Sequence, residues 1–341
     1  CLPAAPSRYF CVMHYSLASL FPMNIPTTRL GLRPRPFIWV LLLGCILAYP
    51  LAPAVSSPSG DKRDYILVIN TYAESTPWSR GIITDITARV EQIENLELYT
   101  ERINLLLVDS PREIETFETN LLREYGKKPP RALVLIGTPT ALLRNFINSI
   151  WKGIPTIVCA EQDFVGPDKY YQKRLPIPAS EQVPLRTLAD RDNLTLLYSP
   201  AYLDQSIDLM KRILPGMDRL IFIDDARYVN RQTEHDLAEL LDSKYGGIKY
   251  TVYSADEIGI DQLLDSLSTV DVKRTGVLFS SWHYLKNMSG RNEIMTNPFK
   301  IIASSSVPLF SLRPTGLKSS GMIGGYVYDE NEYSDRLIAT V

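Results

Sequence analysis

The residues of this sequence able to do chemistry fall in short clusters, each directly behind a run of apolar residues. Tyr72, Glu74 and Trp78 follow residues 65–70, Thr138 follows 132–136 and Gly137, and Glu161 and Asp163 follow 156–159. Further along, Asp225 follows 219–223 beside Asp224, Arg227 and Tyr228, while Ser281 and Trp282 follow 276–280 beside His283 and Tyr284. Aromatic rings with a few hydroxyls, carboxylates and a guanidinium suit the holding of a small molecule, which needs an apolar surface and a few well-placed polar groups. Helix starts at Pro77 and Pro139 would add free backbone N–H groups for an anion.

Catalysis asks for more than these clusters offer. Glu161 and Asp163 form a carboxylate pair, but two acidic residues on one loop are commonly solvated, and Asp224-Asp225 behind a strand reads first as a turn or a helix start. Trp78, on a first helical turn, packs on a neighbouring loop as readily as on a ligand. The three histidines, His14, His235 and His283, lack the spacing of a metal-ligand set. No G-x-S-x-G elbow, phosphate loop or dinucleotide fingerprint occurs. The glycine-dense stretch 316–325 precedes a strand, so it reads as turns and close packing. No catalytic residue, metal or cofactor is therefore assigned. A net charge of -2 provides no basic field, which removes nucleic acid as a partner.

These clusters need a scaffold that brings them to one edge. Residues 65–70 are apolar on both faces, as a central parallel strand is. Thr76 is placed to cap a helix opened by Pro77, and Ile82, Ile83, Ile86, Val90 and Ile93 then recur at helical spacing. The unit repeats as strand 103–108, helix 110–125, strand 132–136, a helix from Pro139 to about Trp151, and strand 156–159. An irregular stretch, 161–192, is long enough to be functional or a crossover. The rhythm resumes with strand 194–198, helix 201–214, strand 219–223, helix 230–245, strand 248–253, helix 258–267 and strand 276–280. A helix around 293–303, strands 307–312 and 324–328, and an uncapped helix 332–339 complete the reading.

Strands alternating with helices of this length imply right-handed βαβ units and parallel sheets. The expected architecture is α/β, with two Rossmann-like lobes, 64–192 and 193–312, an inter-lobe cleft, and a closing segment 313–341 whose last helix is cut short. In open parallel sheets ligands bind beyond the carboxyl ends of the strands, where every cluster above lies.

The first 63 residues read as a leader and linker. Arg29, Arg33 and Arg35 precede an apolar segment, 37–55, with Ala52-Pro53-Ala54 as a small-residue cleavage site. A cleaved signal and an uncleaved membrane anchor both fit, since the segment is about long enough to cross a bilayer. A lipoprotein box at Cys45 fits less well, because apolar residues follow it. Beyond the leader Cys159 is the one cysteine, so no disulfide forms within this part of the chain, and a lone cysteine at a strand end reads as core. The sequons at Asn193 and Asn287 carry little weight, being frequent by chance.

The run 66–82 (ILVINTYAESTPWSRGI) resembles the opening of the ABC-transporter substrate-binding-like periplasmic domains found fused to bacterial sensor histidine kinases. RALVLIGTPTALL (131–143), GIPTIVCAEQDF (153–164), the stretch 198–225 and the stretch 307–337 are similar to that family's later segments, in order. Ala73 stands where many relatives carry His, and 159–163 lacks their usual Gly and Asn, so ligand identity does not carry over. The resemblance implies a type I periplasmic-binding fold and a non-enzymatic, exported sensor region of a membrane-bound two-component or hybrid histidine kinase, on the periplasmic side of a bacterial inner membrane. Its partners would be a small-molecule ligand, the membrane through the N-terminal segment, and a second copy of itself if it is part of a receptor. The alternatives are a free solute-binding protein serving an ABC importer and an exported α/β enzyme, the latter short of a nucleophile or metal cluster.

Overall fold

The apolar run behind the first cluster forms β1 (Asp64–Asn70), of which all but Asp64 is buried. The computed structural model describes residues 63–74, 76–105, 108, 110–189, 193–286, 292–294, 304–317 and 322–341. Asp64–Val341 fall in one compact unit. The apolar segment 37–55, the leader cysteines Cys1, Cys11 and Cys45, and the sequon at Asn287 lie outside the described residues. Leu67, Val68 and Ile69 are fully buried, and each contributes about 1.5–3 kcal/mol relative to a position in water.

β1 pairs in parallel with β2 (Leu96–Arg102) on one side and β3 (Ala132–Ile136) on the other. β4 (Thr156–Ala160) and β7 (Leu194–Tyr198) extend the sheet to the order β2-β1-β3-β4-β7. Its alternate residues face opposite layers. Ile66, Val68, Val134 and Ile157 pack with Ile82, Ile86 and Val90 of α1 (Pro77–Val90). Leu67, Ile69, Leu133 and Leu135 pack with Ile114 and Leu121 of α2 (Pro111–Tyr125) and Ile147 of α3 (Arg144–Ile150).

Two expectations fail in this sheet. The second strand is not the apolar run 103–108 but the polar LELYTER before it, whose partial exposure fits its place at the sheet edge. Ile103 is buried with its N–H donating to the Asn70 carbonyl at 3.0 Å, and Leu105 and Val108 pack on the core beyond the end of β2. The boundary between lobes does not fall at residue 192, because β7 pairs with β4 from Thr156↔Leu194 to Ala160↔Tyr198 and so closes the first sheet. The stretch after β4 leads to β7, its parallel neighbour in the same sheet, so it is a crossover, one kept within the first lobe. It folds back as a β5 (Phe164–Val165) and β6 (Val183–Pro184) hairpin around α4 (Asp168–Lys173). Tyr170, Tyr171, Ile177, Leu185 and Leu188 bury themselves in the first lobe's core from this stretch.

The second sheet contains β8 (Arg219–Asp224), β9 (Lys249–Ser254), β10 (Thr275–Phe279), β13 (Leu309–Ser311) and β14 (Met322–Gly324). All are parallel, in the order β14-β13-β10-β8-β9. Helices α5 (Leu203–Ile213), α6 (Tyr228–Lys244) and α7 (Ile260–Ser268) cover it, with Leu237 and Leu241 on one side and Leu263 and Leu267 on the other. Where a helix was expected from about residue 293, residues 292–294 form β12 (Asn292–Ile294), antiparallel to β11 (Tyr284–Lys286). After a short turn, α8 (Pro314–Leu317), and β14, the chain returns to the first lobe as α9 (Glu330–Thr340). Tyr333 and Leu337 join the α1 core, and Ser334 Oγ donates to Asp85 Oδ2 at 2.6 Å. At the start of this helix Asp329 accepts from the backbone N–H groups of Asn331 and Glu332 as its N-cap. Among the described residues no helix is long and apolar enough to cross a membrane.

Candidate functional site

The carboxyl ends of β1, β3 and β4 build one wall of a cleft. Asn70 Oδ1 accepts the N–H of Tyr72 at 3.0 Å, an Asx turn that swings the chain out of β1, and Thr71 Oγ1 donates to the Ile136 carbonyl at 2.9 Å. Gly137, with φ +99°, lets the β3 end pass close by: a Cβ there would stand 2.2 Å from Thr71 Oγ1 and 2.8 Å from Tyr72 Cε2. The Tyr72 hydroxyl donates to Glu161 at the end of β4. Thr138 donates to the other Glu161 oxygen through its N–H at 3.3 Å and its Oγ1 at 3.4 Å. Burial, then the Glu161 charge and hydrogen bond, push the Tyr72 phenol well above its ordinary range, so it stays a neutral donor. Trp78, on the first turn of α1, meets the Tyr72 ring edge-on with centroids 5.7 Å apart.

The facing wall rises from the ends of β8 and β10 and is organised by Asp225. This fully buried carboxylate accepts from Arg227 Nε at 2.9 Å, Asn230 Nδ2 at 2.6 Å, Ser281 Oγ at 2.9 Å and the His283 N–H at 2.8 Å. Ser280 Oγ donates to Asn230 Oδ1 at 2.8 Å and completes the network. Burial would raise the Asp225 carboxyl, but the Arg227 and His283 charges and their hydrogen bonds outweigh it and hold it below the usual carboxylate range. Arg227 is held protonated by the same pair against its own burial, and its guanidinium lies 5.8 Å from the centre of the Tyr284 ring.

Between these walls lies a cleft of about 540 Å³, part of it open to solvent. Tyr72, Trp78 and Glu161 line it from the first lobe, and Arg227, Asn230, Ser280, Ser281, His283 and Arg313 from the second. Four of the sequence-assigned site residues, Tyr72, Trp78, Glu161 and Ser281, thus share one space. Thr138 and Asp225 stand behind it, each holding a lining residue in place. Trp282 is 1% exposed and belongs to the second lobe's apolar core, because the turn after β10 points it away from Ser281. Glu74 faces solvent with Arg102 at 3.5 Å, and Asp163 is exposed while its carbonyl anchors the N–H of Leu185. Ser199, Arg313, Pro314 and Tyr328 were not singled out from the sequence, yet they line the cleft. The strand-end rule applied to β13 would have found Arg313; Tyr328 carries no such signal, since it sits where the chain crosses back towards α9. Among the described residues no group of three or more histidine, cysteine or acidic side chains is placed to hold a metal ion.

Comparison with solved structures agrees with this architecture. A conserved domain protein from Vibrio cholerae superimposes with a TM-score of 0.51 at 15% identity, over 82% of each chain. The ABC domain from Streptococcus pneumonia, solved in complex with L-Trp, does so with a TM-score of 0.51 at 13% identity, also over 82% of each. A protein described as the XylFII molecule matches with a TM-score of 0.50 at 11% identity, over 81% of this chain and 92% of its own. No family model matches the sequence, and no curated protein does. The fold is the type I periplasmic-binding-protein-like one: two parallel α/β sheets with a cleft at their carboxyl ends.

Proposed function

We propose that this chain is the extracytoplasmic ligand-binding region of a membrane-bound signalling protein, a two-component or hybrid histidine kinase, and that it binds a small molecule between its lobes. The cleft carries the binding reading. It lies at the carboxyl ends of both parallel sheets, and each lobe supplies lining residues. The reading is one of binding rather than catalysis, since Glu161 and Asp225, the acids nearest the cleft, are engaged as acceptors that position Tyr72, Arg227 and Ser281. The apolar segment 37–55 behind three arginines, together with the resemblance described above, supports export and anchoring on the periplasmic side of an inner membrane. In that setting ligand would favour a closed arrangement of the lobes, and a second copy of the chain would pass the change on.

Two measurements test this reading. A thermal-shift screen of amino acids, sugars and purines should give at least one ligand; at a hundred times its Kd the shift corresponds to about 2.7 kcal/mol. The ligand should also quench Trp78 fluorescence, with the response lost in Trp78→Phe and kept in Trp282→Phe. Coding sequence beyond Val341 should continue in frame to a second apolar span; a stop codon close behind Val341 would instead favour a free solute-binding protein of an importer.

A further inference from the structure

The charges of the cleft are not all answered within the protein. Arg227 is paired by Asp225 in its own lobe at 2.9 Å. Glu161 and Arg313 are different. Glu161, just past β4, accepts from Tyr72 and Thr138 but has no cation within ion-pair distance among the described residues. The Arg313 guanidinium, just past β13, forms no hydrogen bond or ion pair among the described residues. Both side chains line the same cleft and come from opposite sheets. Both charges act on Tyr72 and on Tyr328, so they flank one aromatic-walled space.

We infer that the cleft takes a small zwitterion of the free α-amino acid class, its carboxylate on Arg313, its ammonium on Glu161, and an apolar, flat side chain against Tyr72, Trp78 and Tyr328. This rests on the binding reading above and specifies the ligand. A carboxylate offers a guanidinium two parallel hydrogen bonds, and an ammonium offers Glu161 a charged donor that Tyr72 and Thr138 do not. A neutral ligand filling the same space would take both charges out of water without replacing what they lose. The zwitterion also explains why the two charges sit on different lobes: a molecule that must satisfy both binds the closed arrangement better than the open one.

The experiment is calorimetric titration of the full chain with the free L-amino acids, then with the N-acetyl and carboxamide forms of any that bind, and with neutral monosaccharides. At least one free amino acid should bind, and each blocked form should bind about thirtyfold more weakly or worse, as expected when one member of a desolvated charge pair is lost. Glu161→Gln should shrink the penalty for N-acetylation, and Arg313→Met the penalty for the carboxamide, each without the reciprocal effect. Thermal midpoints would show that both variants fold, and the blocked ligands decide the question on the unaltered chain if either does not. Blocked forms within about threefold of the free amino acid would overturn the inference, as would failure of every amino acid to bind. In the second case, binding of a monosaccharide leaves the binding reading standing, and binding of nothing in the wider metabolite screen removes it as well.

Discussion

Asp225 is the group on which the second wall of the cleft depends, and Asp225→Ala measures that dependence. The carboxylate is fully buried and takes hydrogen bonds from Arg227, Asn230, Ser281 and the His283 backbone. Removing it leaves the Arg227 guanidinium, whose side chain is 12% exposed, without its counter-ion. Breaking a buried pair from one side costs about 3–5 kcal/mol, because the remaining charge stays out of water. For a chain of this size each kcal/mol moves the thermal midpoint by about 1.5 °C, so a fall of roughly 5–8 °C is expected at pH 7. The double variant Asp225→Ala with Arg227→Met removes both charges and should recover a measurable part of the loss. The pH dependence has a definite sign. The folded carboxyl is held below its ordinary range, so its contribution is complete above about pH 4 and disappears as pH falls through the depressed value. The deficit of Asp225→Ala should therefore shrink at the acid end. Circular-dichroism melts of the parent, the single and the double variant from pH 7 downwards decide the matter. A loss under about 1 kcal/mol, or a double variant no more stable than the single, would refute the account of Asp225 as the holder of a buried charge.

Three further perturbations test other parts of the structure. Asp224 is fully buried with neither carboxylate oxygen hydrogen-bonded, its nearest cation being Arg231 at 4.0 Å, and burial pushes its carboxyl up to about 8. The folded chain then holds a proton that the unfolded chain releases above about pH 4, so Asp224→Asn should raise the melting midpoint progressively between pH 4 and 8; a pH-independent change would refute this. Gly137→Ala forces a Cβ into Thr71 and Tyr72 at a left-handed φ and should cost about 1–3 kcal/mol in urea unfolding, with weaker ligand binding as Tyr72 is displaced. Leu337→Ala empties a fully buried position where α9 docks on α1 and should cost about 2–5 kcal/mol, whereas a loss below 1 kcal/mol would mean that α9 is not held by this core.

Much of this was written in local sequence. The runs behind Tyr72, Thr138, Glu161, Asp225 and Ser281 are apolar on both faces because central parallel strands are buried on both sides, so the strands and the ends where ligands bind could be read directly. Edge strands broke the rule. LELYTER is polar and half-exposed at the rim of the first sheet, while Ile103, Leu105 and Val108 are apolar because they pack on the core beyond its end. Strand identity is a matter of period and burial, but the choice of sheet is not: nothing local marks Leu194–Tyr198 as a partner of β4 rather than the first strand of the second lobe. The same holds within the site. Ser281 and Trp282 are neighbours in sequence, yet one faces the cleft and the other the core, because the turn after β10 sends successive side chains in opposite directions. The sequence by itself determined the α/β class, the strand ends that can bear a ligand, and the residue types available there. Only the tertiary structure decided that Glu161 and Arg313, separated along the chain and lying on different sheets, line one cleft while Asp225 is spent on Arg227, since charge pairing depends on distances that close only when both lobes are packed.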